Sequence, residues 1–215
     1  MRVDVKVCGL TRPEDARAAA ELGARYVGAI FAGGPRNLEP ARARDVLDGA
    51  EGDVGRVGVF GDADVATIAR TVREARLHIV QLHADPVPRS VAAIREATGA
   101  RVWAVLRVDG PVDPIALQEL WDAADALVLD SKVQGALGGT GVSFDWSAVD
   151  RAALRRAGPL VVAGGLTAVN VGEAIESLSP NIVDVSSGVE SAPGIKDHAR
   201  IADFIGAVRR TGVLR

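Results

Sequence analysis

The chain has one cysteine, Cys8, in the run Lys6-Val7-Cys8-Gly9-Leu10-Thr11 at the end of a short β-branched stretch. A thiolate there could abstract a proton or attack a carbonyl. No histidine stands beside it in sequence to mark a nucleophilic dyad, so base and nucleophile both stay open, and a buried free cysteine also serves as a small hydrophobe. Asp130 follows the apolar run Ala126-Leu127-Val128-Leu129. A carboxyl at the lip of such a strand is partly desolvated, which raises its pKa toward that of a general acid; capping a helix that begins near Ser131 is the other reading. Arg36, after Gly34-Pro35, offers a planar fork that suits a carboxylate, or it is a solvated surface arginine.

Phosphate chemistry is suggested by Ala163-Gly164-Gly165-Leu166-Thr167 and Val185-Ser186-Ser187-Gly188-Val189. Glycines and small hydroxyl residues let backbone N–H groups approach an anion, which makes Gly164, Gly165, Ser186, Ser187 and Gly188 the phosphate candidates; tight turning alone is the plainer reading. Gly138-Gly139-Thr140-Gly141 sits inside a long glycine-rich segment, Ser131 to Ser143, that reads first as a substrate lid, with Gly141 as a second source of phosphate donors. Asp184, within Ile182-Val183-Asp184-Val185, is a carboxylate among apolar strand residues that either holds a substrate amine or pairs with Lys6. Gln81 and His83 read as structural or substrate-orienting. Metal ligation is not expected, because no second imidazole has suitable spacing, and His78, His198, Trp103, Trp121 and Trp146 read as structural, exposed or packing residues.

These groups must be positioned by a scaffold, and the chain supplies one of repeated units. Runs at 3–7, 26–31, 54–60, 78–83, 101–107, 126–130, 159–163 and 181–186 read as strands, with segments of helical apolar spacing between them, as in Val65, Ile68, Ala69 and Val72. Eight strand-then-helix units predict an α/β fold, a single-domain (β/α)8 TIM barrel over residues 1–215, whose strand ends gather distant residues at one mouth. A doubly wound open sheet is the alternative fold, but no Gly-x-Gly-x-x-Gly follows the first strand and the units outnumber those of such a sheet.

Composition narrows the partners. A formal net charge of −3 gives no global attraction to nucleic acid or to an anionic membrane surface, so a small-molecule partner is expected. A single cysteine excludes an intrachain disulfide framework, no uninterrupted apolar run approaches about eighteen residues, and no signal-peptide core precedes the first strand, which together predict a cytoplasmic protein.

Taken together, these blocks resemble one family, the phosphoribosylanthranilate isomerases. Lys6-Val7-Cys8-Gly9-Leu10-Thr11 looks like its first-strand signature, Gly33-Gly34-Pro35-Arg36 like its second-strand loop, and Val57-Gly58-Val59-Phe60 and Val80-Gln81-Leu82-His83 like its third and fourth strands. Leu129-Asp130-Ser131, Gly138-Gly139-Thr140-Gly141 with Phe144-Asp145-Trp146, Ala163-Gly164-Gly165-Leu166 with Asn170-Val171, and Asp184 through Glu190 with Pro193-Gly194-Ile195-Lys196-Asp197 continue the match along the whole length. Each block is weakly specific; their order and spacing together are strongly so.

The resemblance implies a cofactor-free Amadori rearrangement of N-(5-phosphoribosyl)anthranilate, in tryptophan biosynthesis, by a monomer or a homodimer. It implies Asp130 as general acid, Cys8 as general base, Arg36 on the anthranilate carboxylate, and Asp184 near the anthranilate nitrogen or the sugar. Two positions depart from the family pattern: Ala84 stands where a glycine is usual after Gln81-Leu82-His83, and Gly34 where a serine usually precedes Pro-Arg. Another phosphosugar-binding barrel enzyme, or a barrel that binds a phosphosugar without turning it over, is the competing expectation.

Overall fold

The computed structural model describes residues 2–108, 110, 113–131, 145–146, 149 and 158–212. Eight strands, β1 (Asp4–Val7), β2 (Tyr26–Phe31), β3 (Gly55–Phe60), β4 (Ile79–Leu82), β5 (Arg101–Val108), β6 (Ala126–Ser131), β7 (Leu160–Val162) and β8 (Ile182–Val185), close a barrel in sequence order. Every pairing is parallel, and β1 meets β8 with Lys6 opposite Asp184. The observed strands fall where the sequence predicts them, with ends differing by a residue. Gly141, and the segment beyond Ser131 read as a lid, lie outside the described residues.

Parallel strands need long crossovers, and Ala-rich helices supply them on the outside. Among the described residues these are α1 (Pro13–Leu22), α2 (Pro40–Leu47), α3 (Val65–Glu74), α4 (Pro88–Thr98), α5 (Pro114–Ala123), α6 (Val171–Leu178) and α7 (His198–Gly212). Proline at the first helical position starts several of them, where its missing N–H costs nothing. None is long and apolar enough to cross a membrane.

The period-two alternation of each strand sorts side chains into two layers. Val5 and Val7, Val80 and Leu82, Leu127 and Leu129, and Val183 and Val185 face outward into the helix-covered core. Val57, Ile79, Trp103, Val105, Ala126, Val128, Val161 and Ile182 fill the barrel interior. The same alternation carries a set of polar side chains inward, so that Lys6, Cys8, Gln81, Asp130 and Asp184 are buried together above that apolar plug. After β8 a short 3-10 turn (Ser187–Val189) leads into a hairpin, β9 (Glu190–Ala192) and β10 (Ile195–Lys196), which the sequence reading leaves without an element. Asp15 ties this hairpin to α1, accepting from the Lys196 backbone N–H at 3.1 Å and from both Nε (2.9 Å) and Nη2 (2.6 Å) of Arg12, with His198 Nε2 at 2.9 Å.

Candidate active site

At the C-terminal ends of the strands lies a cavity of about 320 Å³, and Cys8, Arg36, Gln81, His83, Asp130, Gly164, Gly165, Asp184, Ser186 and Ser187 all line it. The volume suits a small ligand. Gly188 stands one layer behind, where a Cβ would come within 2.0 Å of the Leu166 carbonyl oxygen. The β7 and β8 exits therefore touch, and both contribute backbone to one wall. Gly164 and Gly165 take φ of 86° and 62°, the left-handed region that glycine enters without strain. At Gly164 a Cβ would also stand 2.8 Å from Asp130 Oδ1 and 2.7 Å from the Ser131 nitrogen, so the glycine makes room for the acid.

Asp130 is buried, and its Oδ1 accepts the Ser131 N–H at 2.7 Å. Burial pushes its carboxyl above the ordinary value despite that hydrogen bond and the nearby Lys6 cation, which suits a proton donor near neutral pH. His83 Nε2 lies 3.8 Å from Asp130 Oδ2, but desolvation and the Lys6 and Arg107 cations lower the imidazole to about 4. The ring is neutral, and neither of its buried nitrogens has a hydrogen-bond partner among the described residues.

Asp184 divides its two oxygens. Oδ2 accepts from Lys6 Nζ at 2.6 Å, which also donates to Gln81 Oε1 at 2.9 Å. Oδ1 is buried without a partner among the described residues. Pairing with Lys6 and contacting a substrate, which stand as alternatives in the sequence, are thus compatible, one oxygen for each. Burial alone would depress the Lys6 ammonium, but the Asp184 carboxylate outweighs it and holds the lysine above its ordinary value.

Arg36 is not a free surface side chain. Its Nε and Nη2 donate to Glu190 Oε1 and Oε2 at 2.8 and 2.6 Å, and Lys196 Nζ donates to Glu190 Oε1 at 2.8 Å. Burial works against the Glu190 carboxylate, yet these two cations hold it below its usual range. The pair uses one edge of the guanidinium and leaves Nη1 and its neighbouring N–H for a carboxylate in the cavity. Two cations on one internal anion also leave a net positive charge to meet that carboxylate.

Among the described residues no group of three or more His, Cys, Asp or Glu side chains is arranged to hold a metal ion. The chemistry on display is a buried acid and a buried thiol facing one cavity, with a cationic fork at one side and a glycine-walled pocket at another.

A family model for N-(5'phosphoribosyl)anthranilate (PRA) isomerase matches residues 5–207. The chain belongs to the phosphoribosylanthranilate isomerase family. The N-(5'-phosphoribosyl)anthranilate isomerase of Paramagnetospirillum magneticum is 45% identical over 214 residues, covering 97% of this chain and 98% of the relative. The crystal structure of the phosphoribosylanthranilate isomerase of Thermus thermophilus superposes with a TM-score of 0.85 at 32% identity, over 98% of this chain and 99% of the other. A further family structure, solved in complex with reduced 1-(o-carboxyphenylamino)-1-deoxyribulose 5-phosphate, gives a TM-score of 0.82 at 32% identity, over 97% and 99% of the two chains.

Within this phosphoribosylanthranilate isomerase scaffold, sequence reasoning assigned no role to Glu190 or Lys196, although both fall in blocks that carry the family resemblance. It named Lys6 only as a partner for Asp184. The signal for Lys6 was present: the alternation Val5, Lys6, Val7, Cys8 puts the lysine on the same face of β1 as the cysteine. Nothing local marks Glu190, whose partner Arg36 is 154 residues away.

Proposed function

We propose that this chain converts N-(5-phosphoribosyl)anthranilate into 1-(2-carboxyphenylamino)-1-deoxyribulose 5-phosphate, a step of tryptophan biosynthesis, in the cytoplasm. The observation that carries this reading is the convergence of Cys8, Asp130 and Arg36 on one cavity with the glycine-bearing exits of β7 and β8. Asp130 protonates the ribose ring oxygen as the C1–O bond breaks and the anilino nitrogen lone pair forms the C1 iminium. The iminium acidifies the proton on C2, and the Cys8 thiolate removes it, sending the C–H electron pair into a C1–C2 enolamine. Protonation at C1 and loss of the C2 hydroxyl proton then give the ketone.

The surrounding groups divide the substrate among them. Arg36 takes the anthranilate carboxylate through its free edge, the neutral His83 and the open oxygen of Asp184 serve the sugar or the bridging nitrogen, and Gly164, Gly165, Ser186 and Ser187 hold the phosphate, with Gly188 behind them. Gly141 is assigned to the same phosphate.

Purified protein should abolish the fluorescence of phosphoribosylanthranilate in steady turnover. Cys8→Ser and Asp130→Asn should each lower kcat by about 10²–10⁴-fold, the usual share of a general acid or base, with a smaller effect on ligand affinity. Near-wild-type turnover in either variant would remove that residue from its role. Tight binding of the reduced product without any turnover by the unaltered protein would overturn the isomerase reading in favour of a phosphosugar-binding barrel.

A further inference from the structure

Lys6 is among the largest side chains of the described residues with no exposed surface. A buried ammonium is expensive, and a methionine or leucine would fill the same interior at lower cost. Its position points to what offsets that expense. Nζ has three N–H groups; two go to Asp184 Oδ2 at 2.6 Å and Gln81 Oε1 at 2.9 Å, side chains that line the cavity floor. Cys8 lies two residues on, just past the end of β1, on the same face. Both side chains stand over Gly28 of β2, where a Cβ would meet Cys8 Sγ at 3.1 Å and Lys6 Cε at 3.3 Å. The missing side chain at Gly28 is the space the sulfur and the lysine arm share.

We infer that Lys6 is the positioning residue of the base: an ammonium bonded to Asp184 and packed beside Cys8, which favours the thiolate that takes the substrate proton. The inference rests on the reading of Cys8 as base. During the proton transfer the S–H bond forms and the C2–H bond breaks, and the electron pair neutralises the iminium. Lys6 keeps its three protons throughout, because once the sulfur is neutral the ammonium still faces the Asp184 carboxylate. The proton that leaves the thiol before substrate reacts goes to solvent.

The charged groups acting on the sulfur among the described residues oppose one another. Burial pushes the Cys8 thiol above its ordinary value; Lys6 works against this most strongly among the charges, Asp184 reinforces it, and Lys196 opposes it more weakly. Arg36 also feels the sulfur but is engaged with Glu190, which neutralises part of both Arg36 and Lys196. Asp130 and the neutral His83 each feel the Lys6 cation. Removing Lys6 therefore removes the main cationic support of the thiolate, and neutralising Asp184 frees that support for the sulfur.

Because Cys8 is the only cysteine, its ionisation can be followed directly by thiolate ultraviolet absorbance, and independently by the pH dependence of its alkylation rate. In Lys6→Gln the thiol midpoint should rise by roughly 1–3 pH units, as expected for losing an adjacent opposite charge, and kcat/KM at neutral pH should fall about tenfold or more. In Asp184→Asn the midpoint should move the other way. Should Lys6→Gln fail to fold, Lys6→Met decides: a raised midpoint supports the role of the ammonium, and an unchanged one overturns it. Unmoved midpoints in folded variants, alongside an inactive Cys8→Ser, would sink the role of Lys6 and leave Cys8 as base. Midpoints that move as stated while Cys8→Ser stays active would instead sink the base reading, and this inference with it.

Discussion

Replacing Gly188 by alanine probes the phosphate wall through a contact invisible in the sequence. Gly188 is outside the positive-φ residues, so its backbone accepts alanine, and the whole penalty is steric. The new Cβ would stand 2.0 Å from the Leu166 carbonyl oxygen, 3.1 Å from its carbon and 3.3 Å from Thr167 Cγ2, whereas real Cβ contacts essentially never fall below 3.0 Å. A backbone carbonyl must therefore retreat by at least about 1 Å, and misplacement on that scale near a site costs on the order of 10²-fold. The retreat cannot stay local. The Thr167 N–H donates to Asn170 Oδ1 at 2.8 Å and Asn170 Nδ2 donates to the Gly165 carbonyl at 3.0 Å, so Leu166 carries Gly164 and Gly165 with it. Losing one hydrogen bond to a charged phosphate is worth about 1.5–3 kcal/mol, which raises KM about 10- to 150-fold. Overpacking costs about 1–3 kcal/mol of stability, a fall in Tm of roughly 2–12 °C. Steady-state fluorescence kinetics, competition by inorganic phosphate and a thermal melt measure all three. A lowered Tm with unchanged KM and unchanged inhibition by phosphate would refute the placement of the phosphate between the β7 and β8 exits.

The remaining predictions concern the carboxylate fork and the acid limb of stability. Arg36→Lys should raise KM about tenfold or more, since an ammonium cannot reproduce the two-point fork, and should lose less against a substrate analogue lacking the ring carboxylate. Glu190→Gln should act on the same discrimination by releasing the guanidinium, so the double variant should be clearly less than additive; full additivity would separate Glu190 from Arg36. His83, held neutral down to about pH 4 against an ordinary 6.5, takes up its proton more readily when the chain unfolds. Stability should consequently decline as pH falls from about 6.5 to about 4, urea unfolding of His83→Asn should lack that part of the slope, and the imidazole NMR signals should stay fixed above pH 6. Asp15 lies below its ordinary value, with Arg12, the Lys196 N–H and His198 overcoming the burial that works against it. Its contribution is present above the ordinary carboxylate range and is lost as pH falls through its own lower value; Asp15→Asn should cost about 2–3 kcal/mol at neutral pH, and an unchanged urea midpoint would contradict the buried pairing.

The sequence by itself determined the barrel and which strand residues share a face. β-Branched runs of four to eight residues mark strands whatever surrounds them, and period-two alternation decides which side chains enter the interior, so Cys8, Gln81, Asp130 and Asp184 were already on one side before any pairing was known. Local periodicity carries no information about partners. That Lys6 reaches Asp184 across 178 residues follows only when β1 closes on β8 in this register. That Arg36 is braced by Glu190 depends on a hairpin folded back over α1. Gly164 and Gly188 look alike in the sequence, yet one is required by a left-handed φ and a neighbouring carboxylate and the other by a carbonyl on the adjacent strand exit. Which groups are inside is a property of each strand, whereas how their charges are paired is a property of the closed barrel, because the low-dielectric interior makes each buried ion answer to whichever neighbour the closure brings within a few ångströms.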